Sequence, residues 1–186
     1  MQSIPPNLTN LSTRPQPAAT GQPFLQRVFG RSKPAVQLNL VFVIMSFRGE
    51  GMDEVLAAIR EECSVLGLQA KRADESVGSD FVIKEISELI EQAEFIVCDL
   101  SHGRPNVYYE LGYAHGVGNE ASNILLIAGD KTTLHFDIGP LRVHTYNSTD
   151  ELRSILARNL KGMLQSSRKQ IANPIIPEPD QPSATP

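Results

Sequence analysis

Apolar and polar positions along the middle of this chain follow two alternating periods, one of strands and one of helices. Leu40-Val41-Phe42-Val43-Ile44-Met45 is continuously apolar and rich in β-branched residues, the pattern of a strand buried on both faces. Between Met52 and Leu66 the apolar residues Val55, Leu56, Ile59, Cys63 and Leu66 recur at intervals of three and four, which predicts a helix closed by Gly67. A short second strand over 68–72 leads into a loop over 73–79. The next helix is capped by Ser79 or Asp80, with Phe81, Val82, Ile86, Leu89 and Ile90 on its apolar side. Strands over 95–99, 124–128 and 142–146 then alternate with helices over 106–117 and 148–164. Ser148 or Thr149 caps the last helix, with Glu151 in its first turn.

Five strands alternating with helices predict an α/β fold. Right-handed crossovers make it a flavodoxin-like, doubly wound five-stranded parallel sheet of order 2-1-3-4-5, with helices on both faces. A ligand crevice is expected above the carboxyl ends of strands one and three, where the order reverses.

Composition trims this domain at both ends. Eleven of the 13 prolines lie within residues 1–34 or 174–186, and segments of that kind bury too little apolar surface to offset chain entropy. Residues 1–36 and 167–186 are therefore expected to be disordered tails flanking a folded domain over 37–166. Residues 37–165 hold 11 Lys/Arg and 19 Asp/Glu, a net charge of −8, which disfavours duplex nucleic acid and favours a small-molecule ligand. No stretch approaches the roughly 20 apolar residues of a membrane span, and no signal-peptide pattern precedes residue 35, so a cytoplasmic protein is expected. Cys63 and Cys98 are isolated and read as small buried hydrophobes. His115, His135 and His144 lack ligand spacing, so neither a metal nor a cofactor is expected.

The candidate chemistry gathers where strands one and three end. Asp99 closes the third strand and Glu110 stands near the start of the following helix, so both carboxylates are expected in one crevice, an arrangement suited to glycosyl chemistry. Asn106 is the expected cap of that helix. The helix dipole then favours an ionised Glu110, as a nucleophile requires. Ser46, Phe47 and Arg48 follow strand one, and Arg48 can meet a phosphate there. Ser101, His102 and Arg104 occupy the loop after strand three, and Asp74 lies past strand two, the side on which ribose hydroxyls bind in doubly wound folds. A receiver domain is excluded, since Met45-Ser46-Phe47 and Thr145-Tyr146-Asn147 lack its acids and lysine.

Asn106 to Gly118, with its core Glu110-Leu111-Gly112-Tyr113-Ala114, resembles the nucleoside 2-deoxyribosyltransferase family and its relatives among nucleotide N-glycosidases and TIR-like domains. The first strand, Val41 to Phe47, is similar to that of the TIR-like branch, as is Pro105-Asn106-Val107-Tyr108-Tyr109-Glu110, which stands where the transferases carry a Gly-Thr pair. The resemblance implies that Glu110 is the nucleophile at the anomeric carbon and that Asp99 holds or protonates the nucleobase. It also implies a nucleoside, nucleotide or NAD as the ligand, and a homo-oligomer. The alternative it leaves open is a non-catalytic TIR-like module for nucleotide sensing or scaffolding in bacterial signalling or defence.

Overall fold

The computed structural model describes residues 34–73, 79–135, 138 and 140–173, without the side chains of 79–83. Both expected tails fall outside this range for most of their length, as do Asp74 and Glu75. The elements run in the order β1 (Gln37–Ile44), α1 (Met52–Val65), β2 (Gln69–Lys71), α2 (Ser79–Gln92), β3 (Ala93–Asp99), α3 (Pro105–Gly116), a 3₁₀ turn (Ala121–Asn123), β4 (Ile124–Gly129), β5 (Val143–Tyr146) and α4 (Thr149–Ala172). All five strands are parallel, in the order β2-β1-β3-β4-β5.

Burial explains why the apolar runs became strands. Every residue of β3 and the last five of β1 are buried, because these two strands hold the middle of the sheet with helices on either side. Val41, Val43, Phe95 and Val97 face one way, into a core built with Val55, Leu56, Ile59 and Cys63 of α1 and Leu152, Ile155, Leu156 and Leu160 of α4. On the other face α2 packs beside α3, and both rest on β1 and β3. Gly67, at φ 70, closes α1 as expected, with its N–H bonded to the Ser64 carbonyl at 3.0 Å.

Two helix boundaries differ from the sequence reading. Helix α3 starts at Pro105 with Arg104 at the cap position and no side-chain cap, so Asn106 is not the cap but the second helical residue. Helix α4 is capped by Ser148 as read, its hydroxyl accepting from Glu151 N at 3.2 Å, yet it continues to Ala172 instead of ending at 164.

The cause of that extension lies at the amino-terminal edge of the sheet. Glu94, only 6% exposed, accepts hydrogen bonds from the Ser167 hydroxyl, the Arg168 guanidinium and the backbone N–H of Asn39. Arg168 also donates to the Asn39 side chain, whose residue sits at φ 66, an unusual backbone for a non-glycine. Burial alone would raise the Glu94 carboxyl, but its bonds to Arg168, Ser167 and Asn39 overcome that and hold it below its ordinary value. The last two turns of α4 are thus fastened by polar contacts rather than by an apolar face.

A chain ending at residue 166 should therefore be about 1.5–3 kcal/mol less stable than one ending at 173, because truncation removes the charge-assisted hydrogen bonds that Ser167 and Arg168 give Glu94. Denaturant unfolding of the two at pH 7 measures the difference. A depressed carboxyl stabilises the fold above its unfolded value near 4.5, so the difference should shrink as pH falls through and below that value. Equal stability at pH 7 would show that the clamp contributes nothing.

Candidate active site

Strand β1 ends at Ile44 and its loop turns toward the loop that follows β3. Ser46 is buried, and its hydroxyl donates to the Arg48 carbonyl at 2.5 Å while accepting from Arg48 N at 3.3 Å, which folds the loop back on itself. Gly49, at φ 151, lies so close to His102 that a Cβ there would stand 2.6 Å from the imidazole, so the two loops are in direct contact. Arg48 itself is exposed.

Helix α3 carries the principal carboxylate. Glu110 is 7% exposed and opens onto a cavity of about 470 Å³ with walls from Phe47, Ile86, Ile90, Tyr109 and Tyr113 and with Asn106 at its edge. Burial raises the Glu110 carboxyl to about 7, and the hydrogen bond from the Asn106 side chain opposes part of that rise. The helix end was expected to favour an ionised carboxylate, but burial shifts the group the other way. Glu110 lies in the second turn of α3, and desolvation outweighs whatever the helix end supplies. Near neutral pH the group is poised between its two forms.

Asp99 does not join it. Along β3 its side chain has the parity of Phe95 and Val97, which face α1 and α4, whereas Glu110 sits on the α2 and α3 side. One Asp99 oxygen accepts from Ser101 N at 2.8 Å and from the Ser101 hydroxyl, while the other is buried without a hydrogen-bond partner. Its carboxyl is raised by burial, against the lowering effect of Ser101, His102 and Tyr146. Ser101 is fully used: its hydroxyl also accepts from Gly129 N at 2.9 Å and stands 3.2 Å from the Tyr146 hydroxyl. With His102 and Tyr146 it lines a second cavity, of about 460 Å³, on that other side. The shared crevice expected for the two carboxylates is therefore replaced by two cavities flanking the end of β3. Among the sequence candidates, Phe47, Asn106 and Glu110 come together, Ser101 and His102 gather beside Asp99, and exposed Arg104 contributes the α3 cap position.

Cys98 lies between these groups, and its thiol is raised by burial first and then by the Asp99 and Glu110 charges. Cys63 is pushed up to about 12 by burial and by Glu62, so both thiols are buried and protonated, as small hydrophobes would be. Among the described residues no cluster of three or more His, Cys, Asp or Glu could hold a metal, and no helix is long and apolar enough to cross a membrane.

Sequence reasoning passed over Arg72. Its guanidinium carbon sits 5.2 Å from the centroid of the Phe47 ring, and its Nη1 is buried with no hydrogen-bond partner among the described residues. The signal was available: this is the residue directly after β2, at the carboxyl end of the sheet where ligands bind.

No family model and no curated protein matches the sequence. Among solved structures, the fold is shared with the CMP N-glycosidase BcmB of Clostridium botulinum at a TM-score of 0.53 and 17% identity, over 63% of this chain and 96% of that one. A 2-deoxyribosyltransferase from Bacillus psychrosaccharolyticus aligns at a TM-score of 0.48 and 14% identity, over 61% of this chain and 90% of that one. A diflavin flavoprotein A3 from Nostoc sp. aligns at 0.47 and 14% identity, over 76% and 99%. At these identities the likeness to the N-glycosidase is one of fold: a five-stranded parallel sheet flanked by helices.

A carboxyl raised to about 7 in the folded state, from an ordinary value of 4.5, costs stability as pH rises between those values. Glu110→Gln should accordingly stabilise the ligand-free protein by an amount that is small near pH 4, grows through neutrality and levels off near pH 8 on the order of 2 kcal/mol. Thermal unfolding at pH 4, 6 and 8 measures this. A variant destabilised at pH 8 would show that the Glu110 charge is compensated in place.

Proposed function

We propose that this protein cleaves or transfers the N-glycosidic bond of a nucleotide, a nucleoside or NAD, with Glu110 acting at the anomeric carbon. The observation that carries the reading is a buried carboxyl of raised pKa, opening onto a cavity walled by aromatic and aliphatic side chains. The shared fold with a CMP N-glycosidase and the Glu110-Leu111-Gly112-Tyr113-Ala114 resemblance support it.

In the proposed reaction, ionised Glu110 forms a bond to the anomeric carbon, or stabilises its oxocarbenium character, as the bond to the base nitrogen breaks. The bonding pair leaves with the base. A base such as cytosine takes up a proton, whereas nicotinamide departs from its cationic form as a neutral molecule. Water then attacks the anomeric carbon and frees Glu110, completing hydrolysis; a second base in its place completes transfer. Phe47, Tyr109 and Tyr113 supply flat surfaces against which a base can rest. Asn106 acts as a positioning residue, because its hydrogen bond favours the ionised Glu110. In this proposal Ser46 folds the loop after β1, Ser101 and His102 stand with Asp99 beside the second cavity, Arg48 and Arg104 are left as rim contacts, and Asp74 lies outside the described residues. The reaction is proposed to need no cofactor and to take place in the cytoplasm, in a homo-oligomer.

Incubation with a panel of nucleosides, 5′-nucleotides and NAD, with chromatography of the free base, tests the reading. Glu110→Gln should lower base release by roughly 10⁴-fold or more. Turnover within a few-fold of wild type would remove Glu110 from the chemistry, and no release from any compound would favour a nucleotide-sensing module.

The pH dependence adds a second check. If the ionised carboxylate acts, kcat/KM rises with pH through a midpoint of about 7, and Asn106→Ala moves that midpoint upward by removing the bond that lowers it. A midpoint unmoved in Asn106→Ala would sever Asn106 from the role assigned to it.

A further inference from the structure

We propose that Arg72 reads a phosphate on the substrate, so that this site takes nucleoside phosphates in preference to free nucleosides. The inference rests on the glycosidic reading of the Glu110 cavity and specifies its ligand.

An anionic ligand needs a cation here. The domain is acidic, Glu110 must be ionised to act, and the residues lining its cavity include no lysine or arginine. Arg48, the cation that the sequence suggested, is exposed, and its printed contacts are backbone bonds to the Ser46 hydroxyl. Arg72 follows β2, whose Lys71 pairs with Phe42 on β1, and its guanidinium lies over the Phe47 ring that forms a wall of the cavity. A cation held over a ring face is attracted to it without using any of its N–H donors. One of its donors, Nη1, is buried and has no hydrogen-bond partner among the described residues. A buried donor on a charged group is costly to leave unpaired, and the planar fork matches two oxygens of a phosphate. The residue as a whole is only half-buried.

The product of hydrolysis offers a probe that does not depend on the base. Any ribonucleoside 5′-monophosphate cleaved at its glycosidic bond leaves ribose 5-phosphate, so calorimetric titrations with ribose 5-phosphate and with ribose compare the phosphate directly. Wild type should bind ribose 5-phosphate at least tenfold more tightly than ribose. Arg72→Ala should lose at least tenfold for ribose 5-phosphate and leave ribose unchanged, while Arg60→Ala, on the exposed side of α1, should lose nothing. Thermal unfolding of each variant checks the fold. If Arg72→Ala does not fold, Arg72→Lys, which keeps the charge but not the fork, should still weaken ribose 5-phosphate several-fold. No preference for the sugar phosphate in wild type, or undiminished binding in the folded Arg72 variant, would overturn the proposal. Absence of base release together with Arg72-dependent binding would refute the catalytic reading while leaving the phosphate site standing.

Discussion

The site depends on one constraint of parallel sheets: neighbouring strands that exit at the same edge must send their chains onward, and at a switch point they send them to opposite faces. Strands β1 and β3 are such neighbours, paired from Val41 and Phe95 to Ile44 and Cys98. The chain leaving β1 enters α1 on one face, and the chain leaving β3 enters α3 on the other. Between them the backbone diverges and a crevice is left that no helix fills. Phe47 and Glu110 both line it, and the loops that leave β1 and β3 touch at Gly49 and His102.

Placing Glu110 there has an energetic cost. A carboxyl that is 7% exposed and hydrogen-bonded by one amide is poorly solvated for an anion, which is why its pKa moves to about 7. Glu94 is buried to a similar degree yet shifts the opposite way, because an arginine, a serine and a backbone N–H all converge on it. The contrast separates their roles. Glu94 is fully paired and fastens the end of α4 to the start of β3, whereas Glu110 is left under-paired beside open space.

Much of this was legible in the sequence, for a physical reason. Strand order and element types follow from hydrophobic period and from the handedness of crossovers, both of which are local or nearly universal. The polar run Gln165 to Gln170 gave no helical period, and α4 continues through it because of contacts with Glu94 and Asn39, more than 70 and 120 residues away in sequence. The state of Glu110 was misjudged because the helix end is visible in a sequence while desolvation is not. The separation of Asp99 from Glu110 could have been read from parity: Phe95, Val97 and Asp99 alternate with Ile96 and Cys98, and the first set faces α1. Arg72 carried no motif, and its position next to Phe47 emerges only once β2 is laid beside β1.

Glu110 is a desolvated, incompletely paired carboxyl that opens onto a cavity. Carbon-detected NMR of the Glu side-chain carboxyls across pH, with Glu110→Gln used to assign the signal, tests it directly in the ligand-free protein. The account predicts an inflection for Glu110 near pH 7. A midpoint near the ordinary value of 4.5 would contradict it, since a carboxyl that ionises normally is either solvated or fully paired.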